Sequence, residues 1–96
     1  MANYFMTYDL HNRRDYKSLY QLLASWKAVR LTESDWLATL SGSAVAVRDA
    51  VLAHLDSDDT VAVIEIPKGA NWATMRVSAA ANAFLSSNVL PAQKAA

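Results

Sequence analysis

The chain has 96 residues, no cysteine and a formal net charge of zero at pH 7. Its length suits one domain with a single hydrophobic core, and its 53% hydrophobic and 19% charged residues exclude a disordered chain. The absence of cysteine excludes disulfides, thiolate metal sites and a thiol nucleophile, so we expect a reducing, cytoplasmic location.

The basic and acidic side chains are unevenly distributed along the neutral chain. Residues 1–30 carry five basic side chains against two acidic ones, residues 31–66 one against seven, and residues 67–96 three against none. A dedicated nucleic-acid-binding protein normally has a basic excess, because neutralisation of phosphates supplies much of its affinity. The neutral total weighs against a broad nucleic-acid-binding surface but leaves a local basic patch open.

The first predicted elements are a strand and an amphipathic helix. Residues 3–10 are mostly apolar, aromatic or β-branched, which predicts a central strand. A polar loop follows, and Asp15 is placed to cap the next helix with its carboxylate. From Tyr16 to Trp26 the apolar residues recur at i, i+3, i+4 and i+7, which predicts a helix with one apolar side. No apolar run approaches the roughly 20 residues of a membrane span, and we expect no signal peptide.

The middle of the chain predicts two strands and a second helix. Residues 28–32 and 35–40 have strand composition on either side of a polar break, and one bent strand is the alternative. Ser43 is a good N-cap for a helix over residues 44–55. We expect the following residues to form the core stripe of this helix: Ala44, Val47, Val51, Leu52 and Leu55.

The last third of the chain predicts a turn, a strand and a third helix. The turn at residues 56–59 precedes TVAVIEI at residues 60–66, the clearest strand in the sequence. Residues 78–87 form an alanine-rich helix. Residues 1–90 are therefore predicted to be a single domain, and residues 91–96 a flexible C-terminal tail.

This order of elements predicts an α+β fold. Strand, helix, strand, strand, helix, strand, followed by a C-terminal helix, gives a ferredoxin-like βαββαβ sandwich with an antiparallel sheet and both main helices on one face. The other face of the sheet is then uncovered, and both side-chain sets of residues 60–66 are mostly apolar. Because a large exposed apolar face usually has a partner, we expect a homodimer through this face or through the edge strands.

Asp9 is the principal candidate for chemistry. It shares parity with Phe5 and Thr7, so it projects from the same face at the end of the first strand. In a symmetric dimer two Asp9 carboxylates can face each other, and paired carboxylates suit a hard divalent ion such as Mg²⁺. The alternative is that Asp9 only accepts backbone N–H bonds in the strand-to-helix turn.

Basic residues and a histidine follow Asp9. Arg13, Arg14 and Lys17 are candidates for binding nucleic-acid phosphates, or they only make the start of the helix soluble. His11 is a candidate proton shuttle or additional ligand, although a histidine in a polar loop is more often simply solvated.

The remaining polar and aromatic side chains receive structural interpretations. The aspartates of residues 56–59 begin like a calcium loop, but Val61 and Pro67 stand where such a loop requires glycine and glutamate, so we interpret a solvated turn. Glu65, an acid within an apolar strand, is expected to pair with an arginine. Three tryptophans are interpreted as core or interface residues rather than as base-stacking platforms: Trp26, Trp36 and Trp72.

Several segments resemble the SinR-like proteins. These segments are YFMTYDL near the N-terminus, the RR that follows, ESDWLATL before the second helix, and RDAVLAHLDSDDTVAVIEI. The resemblance covers residues 3–88. The SinR-like family is similar to the small CRISPR-associated ferredoxin-like endonucleases, which also include relatives of the VapD toxin ribonuclease. That link rests on the order of elements and on Tyr8-Asp9.

The resemblance implies a function for the first strand. In the nuclease family the aspartate that closes this strand contributes to a Mg²⁺ site at a homodimer interface, and Asp9 matches that position. The segment SVFEG of that family is only loosely matched by residues 34–37, SDWL, and the chain is not basic overall. The family also contains structural dimers without catalytic activity.

Two functions therefore remain open. The first is a homodimeric, Mg²⁺-dependent endonuclease of RNA or DNA, with Asp9 as catalytic and metal-binding residue and with Arg13, Arg14 and Lys17 on the nucleic acid. The second is a non-catalytic dimeric scaffold that binds a protein or a nucleic acid. The neutral charge favours a protein as the partner of such a scaffold.

Overall fold

A computed structural model describes residues 1–11 and 16–92 of the chain. Its elements are β1 (Ala2–Asp9), α1 (Lys17–Ser25), β2 (Val29–Thr32), β3 (Asp35–Leu40), α2 (Ala44–Leu52), β4 (Thr60–Ile66) and α3 (Ala79–Asn88). The predicted α+β class, with an antiparallel sheet, is confirmed. The predicted cap Asp15 and residues 93–96 of the predicted tail lie outside the described residues.

The four strands form one antiparallel sheet in the order β2-β3-β1-β4. β1 is central and pairs on both sides, so that Tyr4 lies between Ala38 of β3 and Glu65 of β4. The two-strand prediction for residues 28–40 is confirmed, since β2 and β3 are separate strands joined by a turn. Their pairing shifts in register between Arg30 and Thr32.

The main core lies between one face of the sheet and helices α1 and α2. Alternate residues of β1 point to this face, while residues three or four apart on each helix point back to it. The buried core residues from these elements are Tyr4, Met6, Tyr8, Leu19, Leu23, Val47 and Val51.

Both main helices end earlier than the sequence predicts. α1 ends at Ser25, and Lys27 adopts a left-handed φ of 55°, a conformation that terminates helices. α2 ends at Leu52, with Ser43 capping it through a bond from the Ala46 N–H. The predicted core stripe of α2 is wrong at Leu52, which is 40% exposed because it lies on the outer side of the helix.

The C-terminal helix covers part of the second face of the sheet. α3 contacts β2 and β3, and its Leu85 packs with Leu37 of β3 in a second buried cluster. The expectation that this face is uncovered is therefore wrong over β2 and β3. A hydrogen bond from Asn3 Nδ2 to the Asn88 carbonyl, 2.9 Å long, fixes the end of α3 against β1.

The uncovered part of this face lies over β4. Ile64 is 57% exposed, and Ala62 on the same side of the strand is also exposed. An apolar surface therefore remains at one edge of the sheet, but it is much smaller than a whole sheet face. In the described part of the chain, no helix combines the length and apolar character needed to cross a bilayer.

Candidate functional site

Asp9 is the last residue of β1, and its Cα partner is Thr60 at the start of β4. Strand alternation turns its side chain away from the core face, and 75% of that side chain is exposed. His11 Nε2 lies 3.8 Å from Asp9 Oδ2. No N–H or O–H group of the described residues donates to the Asp9 carboxylate, so these residues give no support to the interpretation as a hydrogen-bonded turn residue.

The turn at residues 56–59 is tied to both ends of the connection between β1 and α1. Asp59 Oδ1 accepts the backbone N–H of His11 at 2.9 Å. Asp59 Oδ2 accepts the Tyr16 hydroxyl at 2.9 Å and the backbone N–H of Asp56 at 2.8 Å. Asp59 thus holds residues that lie before and after positions 12–15 of the sequence, and Arg13 and Arg14 are outside the described residues.

These contacts shift two pKa values in opposite directions. Desolvation and the hydrogen bond to Asp59 raise the pKa of Tyr16 to about 12, because a phenolate beside a carboxylate is unfavourable. Desolvation acts to raise the pKa of Asp59 as well. The donors from His11, Asp56 and Tyr16 outweigh it and hold the pKa of Asp59 below its ordinary value.

The aspartates of this turn form a cluster. One carboxylate oxygen from each of Asp56, Asp58 and Asp59 lies within 4.8 Å of the others. Both oxygens of Asp59, however, already accept hydrogen bonds. An ion at this cluster would compete with the bonds that hold His11 and Tyr16, so the geometry supports a structural role for the turn.

A cationic and aromatic cluster lies on the α1 side of the same end of the sheet. Arg30 of β2 is the Cα partner of Trp36 of β3, and its Cζ lies 4.6 Å from the Trp36 ring centroid and 5.6 Å from that of Tyr20. Trp36 Nε1 donates to the Tyr8 hydroxyl at 3.0 Å. Tyr8 directly precedes Asp9, so this cluster and the carboxylate occupy opposite faces at one end of β1.

Arg30 shares a hydrogen bond with the Tyr8 hydroxyl, and its remaining N–H groups can bind an anion. Arg30 is exposed, and no carboxylate of residues 1–11 or 16–92 forms an ion pair with it. The rings of Trp36 and Tyr20 hold the guanidinium in place by cation–π contacts. Burial raises the pKa of Tyr8, so its hydroxyl stays protonated and can also donate a hydrogen bond.

The structure thus brings together some of the predicted site residues and adds others. Asp9 and His11 are neighbours, and Lys17 is the exposed first residue of α1. Glu65, expected to pair with an arginine, is exposed on an edge strand and forms no ion pair with any described residue. Arg30 was not predicted as a site residue, because its contact with Trp36 depends on a cross-strand register that the sequence does not show.

Comparisons of the chain with protein-family models, with curated proteins and with solved structures give no match. The resemblance to the SinR-like proteins therefore stays a prediction.

Proposed function

We propose that the chain is a metal-dependent endonuclease that hydrolyses RNA or DNA as a homodimer, with Asp9 as the ligand of Mg²⁺. The observation that supports this proposal is the Asp9 carboxylate, which is 75% exposed at the end of a central strand and accepts no hydrogen bond from the described residues. A carboxylate in this position can hold a cation that at the same time binds a phosphate, since both reach it from solvent.

The residues at this end of β1 suit Mg²⁺. This ion keeps several waters and is commonly held by one or two carboxylates together with substrate phosphates. Asp9 provides one such carboxylate in each protomer. When bound, Mg²⁺ stabilises negative charge on a phosphate and lowers the pKa of its water.

His11 is the proposed acid–base group. Its Nε2 lies 3.8 Å from Asp9 Oδ2, and 46% of its side chain is exposed. An imidazole in this position can accept or release a proton at Nε2. Its backbone N–H bond to Asp59 holds the residue beside Asp9.

The proposed contacts to nucleic acid are the predicted Arg13, Arg14 and Lys17. To these the structure adds Arg30 and the aromatic rings beside it, which the sequence did not predict. A guanidinium held against the Trp36 ring can present two N–H groups to one phosphate. The ring of Tyr20, 42% exposed, offers a surface on which a base can stack. A substrate that contacts both Arg30 and Asp9 passes around the end of the sheet.

The experiment that tests this proposal is a cleavage assay with labelled single-stranded RNA, single-stranded DNA and duplex DNA, with Mg²⁺ or Mn²⁺ and with EDTA. We expect Asp9→Asn to lower the rate by about 100-fold or more, because the metal ligand is lost. Glu33→Gln is the matched control, since Glu33 is an exposed acid in the β2–β3 turn at the same end of the sheet. Equal cleavage by the wild type and Asp9→Asn would remove Asp9 from the reaction.

The second candidate function is a non-catalytic scaffold. The exposed apolar side chains of Val45 and Leu52 on α2, and of Ile64 on the other side of β4, favour it, because exposed apolar surface marks protein partners. Absence of cleavage with every metal and substrate, together with nucleic-acid binding that persists in EDTA and weakens steeply with salt, would support a nucleic-acid scaffold. Absence of both cleavage and binding would support a protein partner.

A further inference from the structure

The two edge strands of the sheet differ in how they are protected. β2 has four residues, its pairing with β3 shifts in register, and α3 packs against it. β4 has seven residues and pairs with β1 in unbroken register from Ile66 to Thr60. Edge strands are usually protected against pairing with other chains by being short, by bulges, by a covering helix, by charged side chains or by prolines. Within β4, the charge of Glu65 is the only such feature.

Apolar side chains are exposed on both sides of β4. Ile64 is 57% exposed on the side away from α2. On the α2 side, Val63 lines a shallow cleft with Val45 and Arg48. Leu52 lies on the same side of α2 as Val45 and Arg48, since residues 45, 48 and 52 are spaced as i, i+3 and i+7. An open strand edge with apolar surface on each side is suited to the addition of another strand.

We propose that a second copy of this chain pairs its β4 antiparallel to this β4, which joins the two sheets into one of eight strands. This proposal rests on the homodimer of the proposed function, but it does not depend on the proposed nuclease activity. The same edge is used by both copies, so the contact closes as a twofold dimer and leaves neither β4 exposed. It also brings the two α2 helices side by side, where Val45 and Leu52 lose their exposure.

One register of this pairing satisfies both the backbone and the charges. Centred on Val63, it pairs all seven residues of β4 and leaves Pro67 outside the paired strands. The turn after β4, which carries Lys68, then lies beside the partner's turn before β4, which carries Asp58. A shift of two residues in one direction places Pro67, which has no N–H, opposite the partner's Val61. A shift of two residues in the other direction places Glu65 opposite the partner's Asp59, a like-charge pair.

This register has a consequence for Asp9. Asp9 lies opposite Thr60, three residues from Val63, which places it about 10 Å along the strand from the twofold axis at about 3.3 Å per residue. The two Asp9 residues are then at least about 20 Å apart, too far to share one ion. Each protomer therefore holds its own metal site, in contrast to the shared ion expected from the sequence.

The first test is the molar mass of the full chain by light scattering and sedimentation. We expect twice 10.5 kDa. A monomer across micromolar concentrations would overturn the proposal, whatever the outcome of the cleavage assay. Val63→Lys, which sets two lysines opposite each other, should halve the mass with an unchanged circular dichroism spectrum. Met75→Lys, at a residue 75% exposed and outside β4, should remain a dimer.

The second test uses the absence of cysteine to read the register. Val63→Cys should form an intermolecular disulfide on oxidation, because directly opposite residues have Cβ atoms about 4.5–5.5 Å apart. Ile64→Cys is the matched control and should not form a disulfide. In this register residue 64 lies opposite the partner's Ala62, two residues away from residue 64 of the partner. A disulfide from Ile64→Cys but not from Val63→Cys would overturn the proposal in favour of face-to-face packing or another register. A dimer that forms neither disulfide would also overturn it.

Discussion

The Tyr16 hydroxyl donates to Asp59 Oδ2 over 2.9 Å, although 43 residues separate them in the sequence. The other oxygen of the same carboxylate accepts the His11 N–H. One side chain of the α2–β4 turn therefore fixes the chain both where it leaves β1 and where it enters α1. This relationship gives the turn a role in holding the end of β1, where Asp9 lies.

Removal of the Tyr16 hydroxyl should destabilise the fold. Tyr16→Phe leaves the ring in place but deprives Asp59 of a donor, so we expect a lower urea midpoint with an unchanged slope. The midpoint is measured by far-ultraviolet circular dichroism. Ser57→Ala, at an exposed residue of the same turn, is the control and should leave the midpoint unchanged. Equal midpoints for Tyr16→Phe and the wild type would show that the hydrogen bond contributes nothing to stability.

The two shifted pKa values predict losses of stability at both ends of the pH range. The pKa of Asp59 is lowered in the folded state, so its contribution is present above about pH 4 and is lost as the pH falls through the lowered pKa. The pKa of Tyr16 is raised to about 12, so its contribution is complete below pH 10 and is lost as the pH rises towards 12.

Urea midpoints measured across pH check these losses in two variants. Asp59→Asn should reduce the decline of stability in acid, and Tyr16→Phe should reduce the decline in alkali. An acid profile of Asp59→Asn identical to that of the wild type would contradict the assignment of the lowered pKa to Asp59. An unchanged alkaline profile of Tyr16→Phe would do the same for Tyr16.

Local sequence patterns predict the elements of this fold better than its long-range contacts. The alternation of residues 60–66 and the cap at Ser43 act within a few residues, and both predictions are confirmed. The position of α3 depends on how the segment from residue 67 to residue 78 crosses the sheet, which no local pattern specifies. The contact of Arg30 with Trp36 depends in the same way on the β2–β3 register.

The burial of α3 can be tested with a matched pair of variants. Leu85 is 4% exposed and packs with Leu37, so Leu85→Ala should lower the free energy of unfolding by about 2–5 kcal/mol. Met75, in the segment before α3, is 75% exposed, and Met75→Ala should change the free energy of unfolding by no more than about 0.5 kcal/mol. Equal urea midpoints for the two variants would contradict the packing of α3 on the sheet.

Arg30 should contribute to nucleic-acid affinity. Arg30→Gln removes the charge held between Trp36 and Tyr20, and we expect binding about tenfold weaker, with a salt dependence reduced by about one phosphate contact. Fluorescence anisotropy with a labelled single strand over several salt concentrations measures both. Arg76→Gln removes an exposed cation from the segment before α3 and should bind like the wild type. If both variants weaken binding equally, the effect of Arg30 is one of net charge alone.

Mg²⁺ should stabilise the folded chain through Asp9. A ligand that binds only the folded state adds about 1.4 kcal/mol at a free concentration ten times its Kd, which raises the melting temperature of a domain of this size by several degrees. The measurement is thermal unfolding during a Mg²⁺ titration at constant ionic strength. Asp9→Asn should lose the shift, whereas Asp58→Asn should keep it. The reverse result would place the ion at the cluster of Asp56, Asp58 and Asp59, whose carboxylate oxygens lie within 4.8 Å of one another.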